Sequence, residues 1–167
     1  MPLISEFAQK KKIQYFLEKI PKDKSILEIG SGSGWVGDYL KKNGWTHYTG
    51  IDIISPADIV GDIQNWKALG LKEESFDIII AFEVVEHVDC FKECRELLRR
   101  GGMLLVTTPV PHMDWFLIML EFLGLNQKRT SPHNNLVYLK NITSFKNKKV
   151  KIIAFLSQWG IFIKENK

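Results

Sequence analysis

The sequence predicts a doubly wound α/β fold built on a single mixed β-sheet. Short apolar runs alternate with stretches of helical periodicity, which is typical of parallel strands joined by helices. The last two apolar runs are tightly joined, so they must pair antiparallel, because a parallel pair needs a long crossover. A glycine-rich turn after the first strand adds a place where a ligand can approach the backbone. The predicted strands are residues 26–29, 47–53, 58–60, 76–82, 103–108, 150–156 and 161–163, with Ser157, Gln158, Trp159 and Gly160 connecting the last two.

Helices are predicted between these strands from apolar spacing and stop signals. The opening helix covers about residues 5–19 of an N-terminal segment, 1–20, and Pro21 ends it. A second helix at 35–42 ends at Asn43-Gly44, and a third at about 89–99 ends at Gly101-Gly102. The strand at 76–82 contains three successive isoleucines, which suits a central strand that is covered on both faces.

The composition predicts one soluble globular domain spanning residues 1–167. Apolar residues make up 45% and charged residues 25% of the chain, and the net charge is +4. The lysines cluster at 10–12 and 146–151. We expect these clusters to form a solvated rim, because no basic stripe interleaved with aromatic residues accompanies them. A nucleic-acid partner is not excluded by this pattern.

Cysteine usage and the absence of targeting signals predict a cytoplasmic protein. Cys90 and Cys94 share one face of a predicted helix, no further cysteine completes a zinc set, and reduced, buried thiols are expected. The N-terminus lacks the charged-then-apolar order of a signal peptide. The most apolar stretch, Trp115 to Leu125, is too short to span a bilayer and is interrupted by Glu121.

The segment SILEIGSGSG, residues 25–34, carries the most chemical information in the chain. It places a buried strand, a turn with glycines at alternate positions and a helix start in succession, so that a ligand can press against backbone amides. Glu28 precedes the first glycine, Gly30. A carboxylate at this position repels a pyrophosphate and attracts a ligand with ammonium or sulfonium charge.

This segment resembles the first motif of the class I S-adenosylmethionine-dependent methyltransferases, and the strand pattern resembles their fold. The resemblance implies a seven-stranded sheet of order 3-2-1-4-5-7-6 with strand 7 antiparallel, and S-adenosylmethionine as the cofactor. It also implies that Glu28 holds the cofactor's amino group. The loop residues that would approach its amino-acid moiety are Gly30, Ser31, Gly32 and Gly34.

Two acidic positions extend the resemblance to the nucleoside part of the cofactor. Asp52, followed by Ile53, ends the second strand, where a carboxylate can accept two hydrogen bonds from a ribose diol. By resemblance, Asp62 accepts from the adenine amino group and the Ile63 amide meets a ring nitrogen; alternatively, Asp62 is a turn residue that caps the following segment. Too few residues separate Asp52 from Asp62 for the helix that most members of the family carry after strand 2, so that helix is predicted to be lost.

The sequence FEVVEHV, residues 82–88, resembles the stretch after strand 4 in methyltransferases of the type 11 group, which includes the ubiquinone-biosynthesis O-methyltransferases. There the backbone near Phe82 borders the methionine part of the cofactor. In some relatives a set of this kind binds a divalent metal, such as Mg²⁺ or Mn²⁺, together with a later histidine. The candidate ligands here are Glu83, Glu86, His87 and His133, with His112 as an alternative. A metal-free general-base role for His87 or His133 and a purely structural role are the other two interpretations.

Residues 110–147 are expected to form the methyl-acceptor region. The stretch from Pro109 to Leu125 is apolar nearly all round, which fits a buried helix, a wall for a hydrophobic acceptor or a dimer surface. The predicted function is S-adenosylmethionine-dependent methyl transfer to a small molecule, at oxygen, by a monomer or homodimer. The alternatives are a cofactor-binding or inactive partner subunit with this fold and, less favoured by the acidic residues, an NAD-dependent oxidoreductase.

Overall fold

The computed structural model describes residues 3–123 and 135–165 of the chain. Its seven-stranded sheet has the order β3-β2-β1-β4-β5-β7-β6, which confirms the predicted order. The first five strands pair in parallel, and β7 is antiparallel to both of its neighbours, β5 and β6. The strands are β1 Ile26–Ile29, β2 Tyr48–Asp52, β3 Ile59–Val60, β4 Phe76–Phe82, β5 Leu98–Pro109, β6 Lys146–Ile153 and β7 Ser157–Ile163.

Helices cover both faces of this sheet. The α-helices are α1 Leu3–Tyr15, α2 Trp35–Lys42, α3 Phe91–Leu97 and α4 Asp114–Phe122. Residues of α2 and of the turn after α1 pack on one face in a cluster that includes Leu17, Val36 and Trp159. On the other face, α3 buries the free thiols Cys90 and Cys94, as predicted, beside the β4 and β5 side chains. The strand order reverses between β1 and β4, and the carboxyl ends of these two strands are where ligands bind in open α/β sheets.

The opening helix differs from its predicted bounds. The α-helical part begins at Leu3 and ends at Tyr15, and a single 3₁₀ turn, Leu17–Lys19, follows it. The Ile20 amide donates to the Leu17 carbonyl, so the tighter turn satisfies backbone groups just before Pro21.

The third helix is shorter and the fifth strand longer than predicted. Helix α3 ends at Leu97, and Leu98 already pairs with Phe76 of β4. Gly101 and Gly102, predicted to end the helix, lie inside β5, where the pairing with β4 shifts register. Gly101 takes a φ of +74°, a conformation that glycine adopts without a steric penalty.

The final hairpin turns earlier in the chain than predicted. Residues 154–156 connect β6 to β7, and the residues predicted as the turn are the first residues of β7. Trp159 is 4% exposed, and a hairpin loop would leave its ring in water. Gly160 also belongs to the strand and pairs with Val106 of β5. Glycine fits this position because a side chain would collide with the Phe162 ring.

The predicted loss of a helix after β2 is confirmed. Residues 53–58 form bends between β2 and β3. The Asp58 carboxylate accepts a hydrogen bond from the Gly50 amide at 2.8 Å and lies 3.4 Å from the Lys41 ammonium. A side chain thus ties this short connection to β2.

Candidate functional site

The glycine loop lies at the carboxyl end of β1 and has the conformation that its sequence predicts. Gly30, Gly32 and Gly34 have φ values of +71°, +50° and +78°, which other residues rarely adopt. The amides of Gly30 and Ser31 both donate to the Ile51 carbonyl of β2, at 2.8 and 3.2 Å. A Cβ atom on Gly30 would lie 2.4 Å from Cγ2 of Val84, so the segment after β4 packs directly against the loop.

Asp52 connects the end of β2 to this loop. Its Oδ2 accepts from the Gly32 amide at 2.8 Å, and its Oδ1 accepts from the Ile54 amide at 3.2 Å. A carboxylate offers about four acceptor positions, so these two bonds leave capacity for a ribose diol. The hydroxyl of Ser31, in contrast, is buried and has no hydrogen-bond partner among the residues described here.

Glu28 lies beneath the loop rather than on its open side. Its side chain is 3% exposed and accepts a hydrogen bond from the Tyr48 hydroxyl. Burial raises the pKa of Glu28 to about 8; the bond from Tyr48 opposes this rise, and Asp52 and Asp58 add to it. The Glu28 carboxyl is therefore largely protonated at neutral pH. Its role toward the cofactor's amino group stays a prediction, and the Asp52 carboxylate contacts the loop directly at the Gly32 amide.

The residues predicted to contact adenine and methionine also lie at the carboxyl edge of the sheet. Asp62 accepts from the Gln64 amide at 2.9 Å, so the alternative interpretation of this residue as a turn cap is observed. The Ile63 side chain is buried, which leaves its backbone to meet a ligand, whereas the Ile53 side chain is exposed. Phe82 is buried at the end of β4, with its ring centroid 5.2 Å from that of Phe16.

Glu83, directly after β4, has an uncommon conformation and a cationic partner. Its φ is +56°, although it is not a glycine. Its Oε1 accepts from the Lys12 ammonium at 2.8 Å and from the Thr107 hydroxyl at 2.7 Å. Partial desolvation by the surrounding protein disfavours the charged form of Glu83, but the charge and hydrogen bond of Lys12 and the bond from Thr107 outweigh it and hold the pKa of Glu83 below its ordinary value.

Glu86 points into the protein. It is buried and accepts from the Thr108 hydroxyl at 3.0 Å. Burial and the charge of Glu83 raise the pKa of Glu86 to about 9, so this carboxyl is protonated at neutral pH.

The predicted metal set is not found among the described residues. No three His, Cys, Asp or Glu side chains in 3–123 and 135–165 come together in a way that could hold a metal ion. His133 lies outside the described residues, and the alternative, His112, has its Nδ1 3.0 Å from the Tyr138 hydroxyl. The His87 amide donates to the Val84 carbonyl in the turn after β4. The catalytic roles of His87 and His133 stay predictions.

Lys12 is the functional-site residue that sequence reasoning missed. The cluster at 10–12 was expected to be a solvated rim, but Lys12 is buried, and its ammonium lies 5.3 Å from the centre of the Phe82 ring. Three consecutive lysines carry no signal that separates one from the others. The available clue is spacing, because Lys12 is one helical turn before the buried Phe16 and shares its side of the chain.

Helix α4 leaves large apolar side chains in water, so the buried-helix interpretation of this stretch is wrong for them. Trp115 is 63% exposed and Phe122 is 87% exposed. The other exposed apolar residues of this segment are Ile118, Met119 and Leu123. The acceptor-wall and dimer-surface interpretations are the two that fit this exposure.

Comparison with known proteins identifies the family. A family model described as a methyltransferase domain matches residues 5–147 of the chain. The chain belongs to this methyltransferase family. The glycine loop, Asp52, Asp62 and the segment after β4 all lie within the matched range, which confirms the resemblance to class I S-adenosylmethionine-dependent methyltransferases.

A curated relative and several solved structures resemble this methyltransferase. A ubiquinone biosynthesis O-methyltransferase of Histophilus somni is 27% identical over 108 residues, a match that spans 52% of this chain and 45% of the relative. A S-adenosylmethionine-dependent methyltransferase from Methanosarcina mazei superposes with a TM-score of 0.65 at 18% identity, covering 91% of this chain and 97% of the other. A protein from Pyrococcus horikoshii gives 0.66 at 16% identity, covering 95% and 90%. These structural matches confirm the Rossmann-like methyltransferase fold.

The helices of this methyltransferase were compared with the length and apolar character of membrane-spanning helices. Within residues 3–123 and 135–165, no helix combines the length and the apolar character that crossing a bilayer requires.

Proposed function

We propose that this methyltransferase binds S-adenosylmethionine at the carboxyl ends of β1 and β2 and transfers its methyl group to an oxygen atom of a small, hydrophobic acceptor. The observation that carries the proposal is the glycine loop, whose Gly32 amide is held by Asp52. Glycine at positions 30, 32 and 34 combines positive φ angles with the absence of a side chain, so that a ligand can approach the backbone. These residues fit an adenosyl amino acid.

Different donor-side residues contact different parts of S-adenosylmethionine. The glycine loop meets the amino-acid moiety, and Asp52 accepts from the ribose hydroxyls while it holds the loop in place. Asp62 and the Ile63 amide meet the adenine edge. The bound donor supplies an electrophilic methyl group on a sulfonium whose thioether leaves readily. The protein then contributes to catalysis by positioning the two reactants and by excluding water.

The acceptor side is proposed from the apolar surface after β5. The β5 strand ends at Pro109, at the same edge of the sheet as the glycine loop, and α4 follows with Trp115, Ile118 and Phe122 exposed. A pocket wall of this kind favours an acceptor with apolar surface to bury. The curated relative is named as an O-methyltransferase, which supports oxygen as the atom that receives the methyl group.

The test is a transfer assay with S-adenosylmethionine that carries a radiolabelled methyl group. We expect label in hydrophobic phenols and no transfer to phenols of matched acidity that carry sulfonate groups. An Asp52→Ala variant serves as the background control. Transfer to amines or thiols at rates above those of all phenols would contradict oxygen specificity. Binding of the donor without transfer to any acceptor would favour the partner-subunit alternative.

A further inference from the structure

Glu83 lies where the sheet order reverses, beside the proposed donor site. Strands β1 and β4 are neighbours, so the glycine loop after β1 and the residues after β4 share one edge of the sheet. Val84 touches the loop at Gly30. The Glu83 amide donates to the Thr107 carbonyl at 2.8 Å, which continues the pairing of β4 with β5. The backbone of Glu83 is therefore held in place where the strand order reverses.

The conformation of Glu83 exposes its side chain while its neighbours are buried. The side chain is 41% exposed, whereas Val84, Val85 and Glu86 are all buried. A non-glycine residue with a φ of +56° has an uncommon and strained backbone conformation. Pairing with Thr107 and packing of Val84 maintain this strained geometry. As a result, an acidic side chain lies at the carboxyl ends of β1 and β4, where the strand order reverses.

The partners of Glu83 keep it charged and leave it able to bind. The Lys12 ammonium and the Thr107 hydroxyl both donate to Oε1 of Glu83. A carboxylate has about four acceptor positions, so these two donors leave room for a ligand. Lys12 is brought to this position by α1, and the N-terminal helix thereby contributes to the site.

We infer that the Glu83 carboxylate faces the methyl group of the bound donor and accepts a hydrogen bond from the acceptor's nucleophilic atom. The inference rests on the proposed function. It selects acceptors that carry a proton on that atom, such as hydroxyl compounds. When the methyl group moves, the carbon–sulfur bond breaks with its electron pair on sulfur, and the new bond uses the acceptor's lone pair. The acceptor's proton passes to the Glu83 carboxylate, which can release it to water.

A binding measurement tests this placement without any acceptor. In sinefungin, a carbon that bears an ammonium group replaces the sulfonium, so that positive charge occupies the position of the methyl group. We expect isothermal titration calorimetry of the full chain to show tighter binding of sinefungin than of S-adenosylhomocysteine. In Glu83→Gln this preference should fall about fivefold, because a charge-assisted hydrogen bond at a partly exposed site is lost. The affinity for S-adenosylhomocysteine should stay within about twofold.

Two further variants make the outcome decisive. Glu83→Gly accepts the positive φ without strain and should lose the preference to the same extent. Glu73→Gln removes an exposed carboxylate that lies 3.5 Å from Lys67, and it should keep the wild-type preference. If both Glu83 variants bind S-adenosylhomocysteine and keep the wild-type preference, the inference is overturned while the proposed function stands. If the wild-type chain does not bind S-adenosylhomocysteine, the proposed function fails, and the inference fails with it.

Discussion

Replacing Gly30 with alanine is expected to weaken binding of S-adenosylhomocysteine by about 100-fold, since the loss of two amide hydrogen bonds to the ligand, at about 1.4 kcal/mol each, corresponds to that factor. The new Cβ would lie 2.4 Å from Cγ2 of Val84, a separation that real Cβ atoms do not show. Val84 is β-branched and buried, so it has little freedom to move aside. The loop must shift instead, and with it the amides that the ligand contacts. Calorimetry measures the loss.

Gly101→Ala is the matched control for this substitution. Gly101 has a φ of +74°, almost the same as Gly30, but a Cβ there would meet nothing within 4 Å. It should cost about 1–2 kcal/mol of stability through backbone strain and leave ligand affinity unchanged. The double variant Gly30→Ala/Val84→Ala should recover part of the lost affinity, because the clash is removed. Wild-type affinity in Gly30→Ala would show that this contact does not shape the site.

Replacing Asp52 with alanine is expected to weaken binding of S-adenosylhomocysteine by about 100-fold. The substitution removes the acceptor of the Gly32 and Ile54 amides as well as the proposed acceptor of the ribose hydroxyls. Hydrogen bonds to a charged group are each worth about 1.5–3 kcal/mol, and 1.4 kcal/mol corresponds to tenfold in affinity. Adenosine, which has the ribose but no amino-acid moiety, should lose a similar factor. Calorimetry with both ligands measures the two losses.

An exposed aspartate provides the control for charge. Asp23 lies in the turn before β1 with a side chain that is 77% exposed, so Asp23→Ala should bind both ligands as the wild type does. Equal losses in Asp23→Ala and Asp52→Ala would point to a general effect of net charge. An Asp52→Ala variant that keeps its affinity for adenosine would contradict the assignment of Asp52 to the ribose.

The parts of the fold and site that the sequence predicts are those encoded by short, local patterns. Alternation of apolar runs with helical periodicity predicts the parallel strands, and close spacing of the last two predicts the antiparallel pair. The glycine loop is predictable because alternate glycines after a strand have few other uses. Asp52 is predictable because the end of β2 adjoins that loop.

The remaining features depend on contacts between distant parts of the chain. Lys12 and Glu83 are 71 positions apart, and no local pattern pairs them. Burial of Trp159 against the aromatic rings of Tyr15 and Phe16 decides where the final hairpin turns. The protonation of Glu28 likewise follows from burial that outweighs the hydrogen bond from Tyr48, and a strand pattern does not reveal that balance. Tertiary packing determines all three.

Calorimetric titration of the wild-type chain with S-adenosylhomocysteine and, separately, with NAD distinguishes a methyl-donor site from a dinucleotide site. We expect saturable, one-to-one binding of S-adenosylhomocysteine and no binding of NAD at the same concentrations. The loop with Asp52 and Asp62 suits an adenosyl amino acid, and residues 30–34 contain no lysine or arginine that would offset the charge of Asp52 beside a pyrophosphate. Binding of NAD in preference to S-adenosylhomocysteine, or of neither, would contradict the assignment of this loop as a methyl-donor site.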